Sequence, residues 1–163
     1  MNGQRTERTE TEVRILPFTA DLVDRVMAFE RRLRAEEPDT YFWEPDEAYR
    51  KQLTASFTDG RFRNAVSFVA VRDGNVIGRI DASLIASRSD AACCSAYLDW
   101  ICVLPSERHA KVARSLLDAL RKDLKEKQVV ILIALMAQNG EAQRFYRAVE
   151  GAEIHDEGIW IHV

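Results

Sequence analysis

Between Asp21 and Glu36, apolar residues recur in steps of three and four, at Leu22, Val26, Phe29 and Leu33, which predicts a helix with one buried stripe. Val13 to Pro17 before it reads as a short strand. Pro38 and Pro45 bracket a connection that holds Tyr41, Phe42 and Trp43, and a second helix is predicted from Asp46 to Phe57, ended by Asp59-Gly60. The period then changes. Val66 to Arg72 and Val76 to Ser87 are β-rich runs joined by Asp73-Gly74, the signal of a tight hairpin. Ser95 to Val103 reads as the next strand. Glu107 to Lys125 reads as a helix with Val112, Leu116, Leu120 and Leu124 on its apolar face. Val129 to Met136 is an almost unbroken apolar run, as expected of a strand covered on both faces. A last helix over Glu141 to Glu150 and a hairpin of Ala152 to His155 with Ile159 to Val163, turning at Glu157-Gly158, complete the order β-α-α-β-β-β-α-β-α-β-β. The fold class is α/β with a mixed sheet.

Composition narrows the function classes. At 163 residues the chain is one domain's length, and 47% hydrophobic with 30% charged residues is ordinary for a soluble globular protein. A net charge of -3 argues against nucleic-acid binding through a broadly basic surface. The cysteines Cys93, Cys94 and Cys102 are odd in number and lack metal-ligand spacing, so neither a disulfide framework nor a metal site is expected, and the setting is read as reducing and cytoplasmic. Residues 1–12 are polar and charged. They are expected to be a disordered tail ahead of one domain over residues 13–163, and they contain neither a secretory signal nor a membrane span.

The chemistry concentrates in Val103-Leu-Pro-Ser-Glu-Arg-His-Ala-Lys-Val-Ala-Arg-Ser-Leu-Leu117, where a strand ends at a proline and a basic turn opens into an amphipathic helix. Free backbone N–H groups and the positive end of a helix dipole suit a pyrophosphate, and Arg108, Lys111 and Arg114 add charge beside Val112 and Ala113. An ordinary surface helix explains the same residues. A second segment, Asn139-Gly-Glu-Ala-Gln-Arg-Phe-Tyr146, follows the next strand and starts another helix.

Taken together, the two segments resemble the GNAT N-acetyltransferase superfamily, with its V-x-P, R/Q-x-x-G-x-G/A and N-x-x-A-x-x-F-Y patterns. Val103, Pro105, Arg108, Ala113, Leu116 and Leu117 carry the first part, and Asn139, Ala142, Phe145 and Tyr146 the second. Two positions depart from the pattern. Lys111 stands where the family usually has glycine, with Ala110 before it, and Gly151 comes one position late after Tyr146. A helical Lys111 would leave its N–H free for phosphate and add an ammonium, whereas a side chain lying across the groove would close it.

The resemblance implies a sheet that splays between its fourth and fifth strands, and transfer of an acetyl group from acetyl-CoA to a primary amine of a small molecule or peptide. By the same resemblance the turn from Arg108 through His109, Ala110, Lys111, Val112 and Ala113 to Arg114 holds the pyrophosphate. The backbone of Ile101 and Val103 pairs with the pantetheine, Asn139 supports the cofactor or caps its helix, and Tyr146 is the general acid. Asp99 is the candidate base, with a cross-strand salt bridge to Arg79 as the competing reading. Strand alternation is expected to put Asp99 and Tyr97 on one face and Trp100 on the other. Tyr41, Phe42 and Trp43 are placed at the acceptor by the resemblance, and core packing explains them equally. No metal, nucleic acid or membrane is expected, and a homodimer fits the family habit. The rival function is a catalytically inactive acyl-CoA-binding or interaction domain of the same fold.

Overall fold

A computed structural model describes residues 12–41, 43–89, 94–155 and 161. Phe42, Cys93, Glu157-Gly158 and most of the expected N-terminal tail lie outside them. The elements are β1 (Arg14–Pro17), α1 (Val23–Glu36), α2 (Glu47–Ala55), β2 (Ala65–Arg72), β3 (Asn75–Ile85), β4 (Ser95–Val103), α3 (Val112–Glu126), β5 (Ile131–Ala134) and α4 (Gly140–Arg147), with single 3-10 turns at Ala20–Leu22, Gly60–Phe62 and Pro105–Glu107. The strands form one sheet in sequential order, antiparallel from β1 to β4 and parallel between β4 and β5.

Local chemistry accounts for most of these boundaries. Asp46 caps α2 by accepting the Tyr49 N–H at 2.8 Å, and the hairpin between β2 and β3 turns through Asp73 (φ 51) and Gly74 (φ 77), the positive-φ pair such a two-residue turn requires. The sheet is packed on both faces. On one face α1 buries Val26, Met27, Phe29 and Leu33; on the other α3 buries Leu116, Leu120 and Leu124. Gly78 lies under α3 so closely that a Cβ there would sit 3.1 Å from Leu116 Cδ1 and 3.1 Å from the Cys102 carbonyl oxygen. A side chain at that point would require Leu116 and the Cys102 carbonyl to give by a few tenths of an ångström.

On the α1 face the sheet buries charge. Arg79 of β3 pairs with Glu30 of α1 at 2.7 Å and with Asp81 at 2.7 Å, while Ser67 donates to Asp81 at 2.6 Å. Glu30 also accepts the Trp43 indole N–H at 2.9 Å and the Tyr49 hydroxyl at 3.1 Å. Burial works against the charge on Arg79, yet Asp81 and Glu30 outweigh it and raise its pKa. Burial, with the charge of Glu30 adding to it, pushes the Tyr49 phenol up to about 12. The network nails α1, α2 and the connection between them to the middle of the sheet.

Three expectations are corrected. β5 is shorter than its apolar run and is not covered on both faces, since Ile131 is 55% and Ile133 44% exposed. Ala152 to His155 is not a strand and is exposed, and of Ile159 to Val163 only Ile161 is described, also outside any strand. The predicted helix from Glu107 starts five residues late, at Val112, because Lys111 takes a left-handed backbone (φ 61, ψ 11) that no α-helix continues through. The late glycine closes a turn instead, with Gly151 at φ 75 and the Ala152 N–H bonded to the Val149 carbonyl.

Candidate active site

β4 and β5 part company half-way along β4. Their parallel pairing runs from Ser95↔Ile131 to Leu98↔Ala134 and stops, leaving Trp100 to Val103 with a partner only on the β3 side. The splay opens a cleft of about 1190 Å³. Its walls are β4 from Tyr97 to Val103, the turn and first residues of α3 from Arg108 to Arg114, the start of α4 with Asn139, Phe145 and Tyr146, and Glu37 to Tyr41 beyond the end of α1.

A bulge sits where the strands separate. Asp81 faces Trp100 and Ala82 faces Leu98, so Asp99 is an extra residue in β4. This corrects the alternation expected from sequence. Asp81 and Ser83 lie on one face of β3, so their partners Trp100 and Tyr97 share that face rather than opposing each other, and Asp99 joins them by accepting the Ser83 hydroxyl at 2.6 Å. Arg79 is committed to Glu30 and Asp81, so the competing salt bridge to Asp99 does not form. Partial burial raises the pKa of Asp99, the Ser83 hydrogen bond opposes the rise and the charge of Asp81 adds to it. Asp99 is itself exposed by surface area, and the upward shift makes its carboxylate a stronger proton acceptor than one at the ordinary carboxylate pKa.

Tyr146 lies in the same cleft, more than half-buried, with its ring against Phe145 at 5.3 Å between centroids. Burial raises its pKa and Tyr97 adds to the shift, so the phenol stays protonated at neutral pH. Asn139 accepts the Ala142 N–H at 2.8 Å and so caps α4, fixing where Phe145 and Tyr146 point.

The start of α3 has the form of an anion cradle. No side chain caps it, which leaves its first N–H groups facing the cleft. His109 (φ 69) and Lys111 (φ 61) both adopt the left-handed conformation that glycine supplies without strain, so the turn keeps a glycine-like path with no glycine in it. Lys111 is therefore not helical. Lys111 and Arg144 make no ion pair among the described residues, and both line the cleft. Arg144 was not singled out from sequence; its signal was its place one residue before Phe145 in the second motif.

Two expected site residues are placed differently. Arg108 lines the cleft with its guanidinium already paired, to Glu37 at 2.5 Å and to Glu141 at 3.0 Å. Trp43 does not line the cleft; its indole N–H is spent on Glu30, and its ring stacks edge-on against Trp100 at 5.4 Å. Tyr41 does line it, with its hydroxyl 2.7 Å from Cys102 Sγ and its ring edge-on to Trp43. Burial holds the Cys102 thiol up at about 11, which makes it inert at neutral pH.

The model of the acetyltransferase (GNAT) family matches residues 28–151, the stretch that builds every wall of the cleft. The chain belongs to the GNAT family of acetyltransferases. Solved structures agree with this GNAT fold at low sequence identity. An aminoglycoside acetyltransferase, meta-AAC0020, from an uncultured soil metagenomic sample and in complex with sisomicin, superposes with a TM-score of 0.75 at 15% identity, covering 93% of this chain and 96% of that one. AAC(6')-Iy in complex with a bisubstrate analogue, CoA-S-monomethyl-acetylneamine, gives 0.71 at 19% identity over 94% and 99%. The PaiA N-acetyltransferase of Thermoplasma acidophilum, in complex with coenzyme A, gives 0.69 at 18% over 90% and 93%. No curated protein sequence matches this GNAT chain. Among the described residues no group of three or more His, Cys, Asp or Glu could hold a metal ion, and no helix is long and apolar enough to cross a membrane.

Proposed function

We propose that this enzyme transfers the acetyl group of acetyl-CoA to a primary amine by direct attack, without a covalent enzyme intermediate. The observation that carries the reading is the end of the β4–β5 pairing at Leu98. It brings a raised-pKa carboxylate, a protonated buried phenol and an uncapped helix N-terminus into one cleft.

The first N–H groups of α3, with the ammonium of Lys111 and the guanidinium of Arg114, suit the pyrophosphate, and Arg144 adds a cation on the α4 side. The unpaired edge of β4 at Ile101 offers backbone groups to an extended pantetheine arm. A backbone N–H there would polarise the thioester carbonyl. Asp99 takes a proton from the acceptor's ammonium, directly or through water. The freed amine attacks the carbonyl carbon, the carbon–sulfur bond breaks and Tyr146 donates its proton to the departing thiolate; the attacking nitrogen sheds its second proton to solvent as the amide forms, and solvent exchange reprotonates Tyr146 and deprotonates Asp99.

The acceptor class is a cationic amine of a small molecule or peptide. Structural neighbours bound to aminoglycosides make those compounds the first to try. The test is acetyl-CoA binding by calorimetry followed by thiol release with an amine panel. Binding with amine-dependent release supports transfer. Binding with no release from any amine supports the catalytically inactive acyl-CoA-binding domain.

A further inference from the structure

The geometry points to Arg108 as a positioning residue: with Glu37 and Glu141 it ties the acceptor-side wall of the cleft and the start of α4 to the phosphate turn, and it does not serve as a phosphate ligand. This rests on the cleft being the acetyl-transfer site proposed above.

A guanidinium has five N–H donors in a fixed fork. Here Nε donates to the Val103 carbonyl at 3.3 Å, Nη1 to Glu37 at 2.8 Å and to Glu141 at 3.0 Å, and Nη2 to Glu37 at 2.5 Å, so four of the five are used. The pair of parallel bonds to Glu37 is the strongest arrangement an arginine makes with a carboxylate. A phosphate could claim one remaining N–H, or it would have to displace a carboxylate already held. The contact with Glu37 is also what chiefly raises the pKa of Arg108, which keeps the tie charged throughout the physiological range.

The three partners come from three separate parts of the fold. Glu37 terminates α1 and begins the turn that carries Tyr41, with the Thr40 N–H bonded to the Glu37 carbonyl at 3.1 Å. Glu141 is in the first turn of α4, five residues before Tyr146. Arg108 sits between the end of β4 and the cradle. The short segment from Glu37 to Tyr41 is therefore held at both ends by β4 and its turn, at one end through Arg108 and at the other through the contact of Tyr41 with Cys102. Two carboxylates against one guanidinium leave the tie with a net negative charge beside the acceptor side. That charge favours a cationic acceptor.

The test compares native protein with Arg108→Met, Arg108→Lys and Glu37→Gln by hydrogen exchange and by titration with coenzyme A. For Arg108→Met and Glu37→Gln the tie predicts amide exchange at Asp39, Thr40 and Tyr41 faster by about fivefold, with a smaller rise in Arg108→Lys, which keeps one ion pair. Coenzyme A affinity should stay within about threefold of native in all three. A loss of affinity of about tenfold or more in Arg108→Met, with exchange at those three amides unchanged, would make Arg108 a phosphate ligand and overturn the proposal. Should the methionine variant not fold, Arg108→Lys and Glu37→Gln carry the same comparison. Failure of the native protein to bind coenzyme A would sink the functional reading, while the exchange data would still decide the tie.

Discussion

Lys111 gives the sharpest energetic prediction, because it combines a backbone cost with a possible ligand charge. Its φ of 61 places a side-chain-bearing residue in the left-handed region, at a cost of about 1–2 kcal/mol relative to an ordinary conformation. Glycine removes that cost but gives back about 0.5–1 kcal/mol through its freer unfolded chain, for a net gain of about 0.5–1 kcal/mol in Lys111→Gly. For a chain of 163 residues this corresponds to a rise in Tm of about 1–4 °C. Asparagine tolerates the same conformation and should lie between, whereas Lys111→Ala keeps the strain and should match native stability. Scanning calorimetry of the three variants in one buffer, at two salt concentrations, decides the matter. If alanine stabilised as much as glycine, and high salt erased the gain, the benefit would come from relieving repulsion with nearby cations, and the backbone argument would be refuted. The same variants separate stability from binding. Both Gly and Ala lose the ammonium and should weaken acetyl-CoA by about fivefold or more, and tighter binding in Gly alone would mean that the lysine side chain obstructs the cradle.

Other expectations follow from single contacts. Glu30→Gln should destabilise by about 3 kcal/mol in urea denaturation, since it breaks a buried ion pair while Arg79 stays buried; a loss under about 1 kcal/mol would show that Asp81 alone suffices for Arg79. Ser83→Ala removes the hydrogen bond that lowers the pKa of Asp99, so that pKa should rise and the acid limb of the kcat/KM profile should move to higher pH; a shift to lower pH would exclude Asp99 as the base. Asn139→Ala should cost about 1 kcal/mol through the lost cap of α4, read from thermal unfolding.

Periodicity made α1, α2, α3 and the β2–β3 hairpin legible, because each carries its signal in its own residues: the Leu22 to Leu33 stripe, the Asp46 cap, the Asp73-Gly74 turn. It marked β5 as a strand but not its cover, since an unbroken apolar run says nothing about which face is covered. The start of α3 was misplaced because the chain reaches a left-handed turn through His109 and Lys111, two residues that do not announce one. The bulge at Asp99 had no local mark either; it follows from the register of β4 against β3, a tertiary property. Asp99, Lys111, Asn139 and Tyr146, far apart in the sequence, all line one cleft. What no pattern of spacing could show was that Arg108 and Trp43, both plausible ligand contacts, are taken by Glu37, Glu141 and Glu30, partners distant in the chain.

Amine acetylation in the cleft between β4 and β5, with Tyr146 as the acid, is tested by thiol release from acetyl-CoA, with and without amines, in the native protein and in Tyr146→Phe. Amine-dependent release should fall by about a hundredfold in Tyr146→Phe while acetyl-CoA affinity stays within about twofold. Release that Tyr146→Phe leaves unchanged would rule out Tyr146 as the acid.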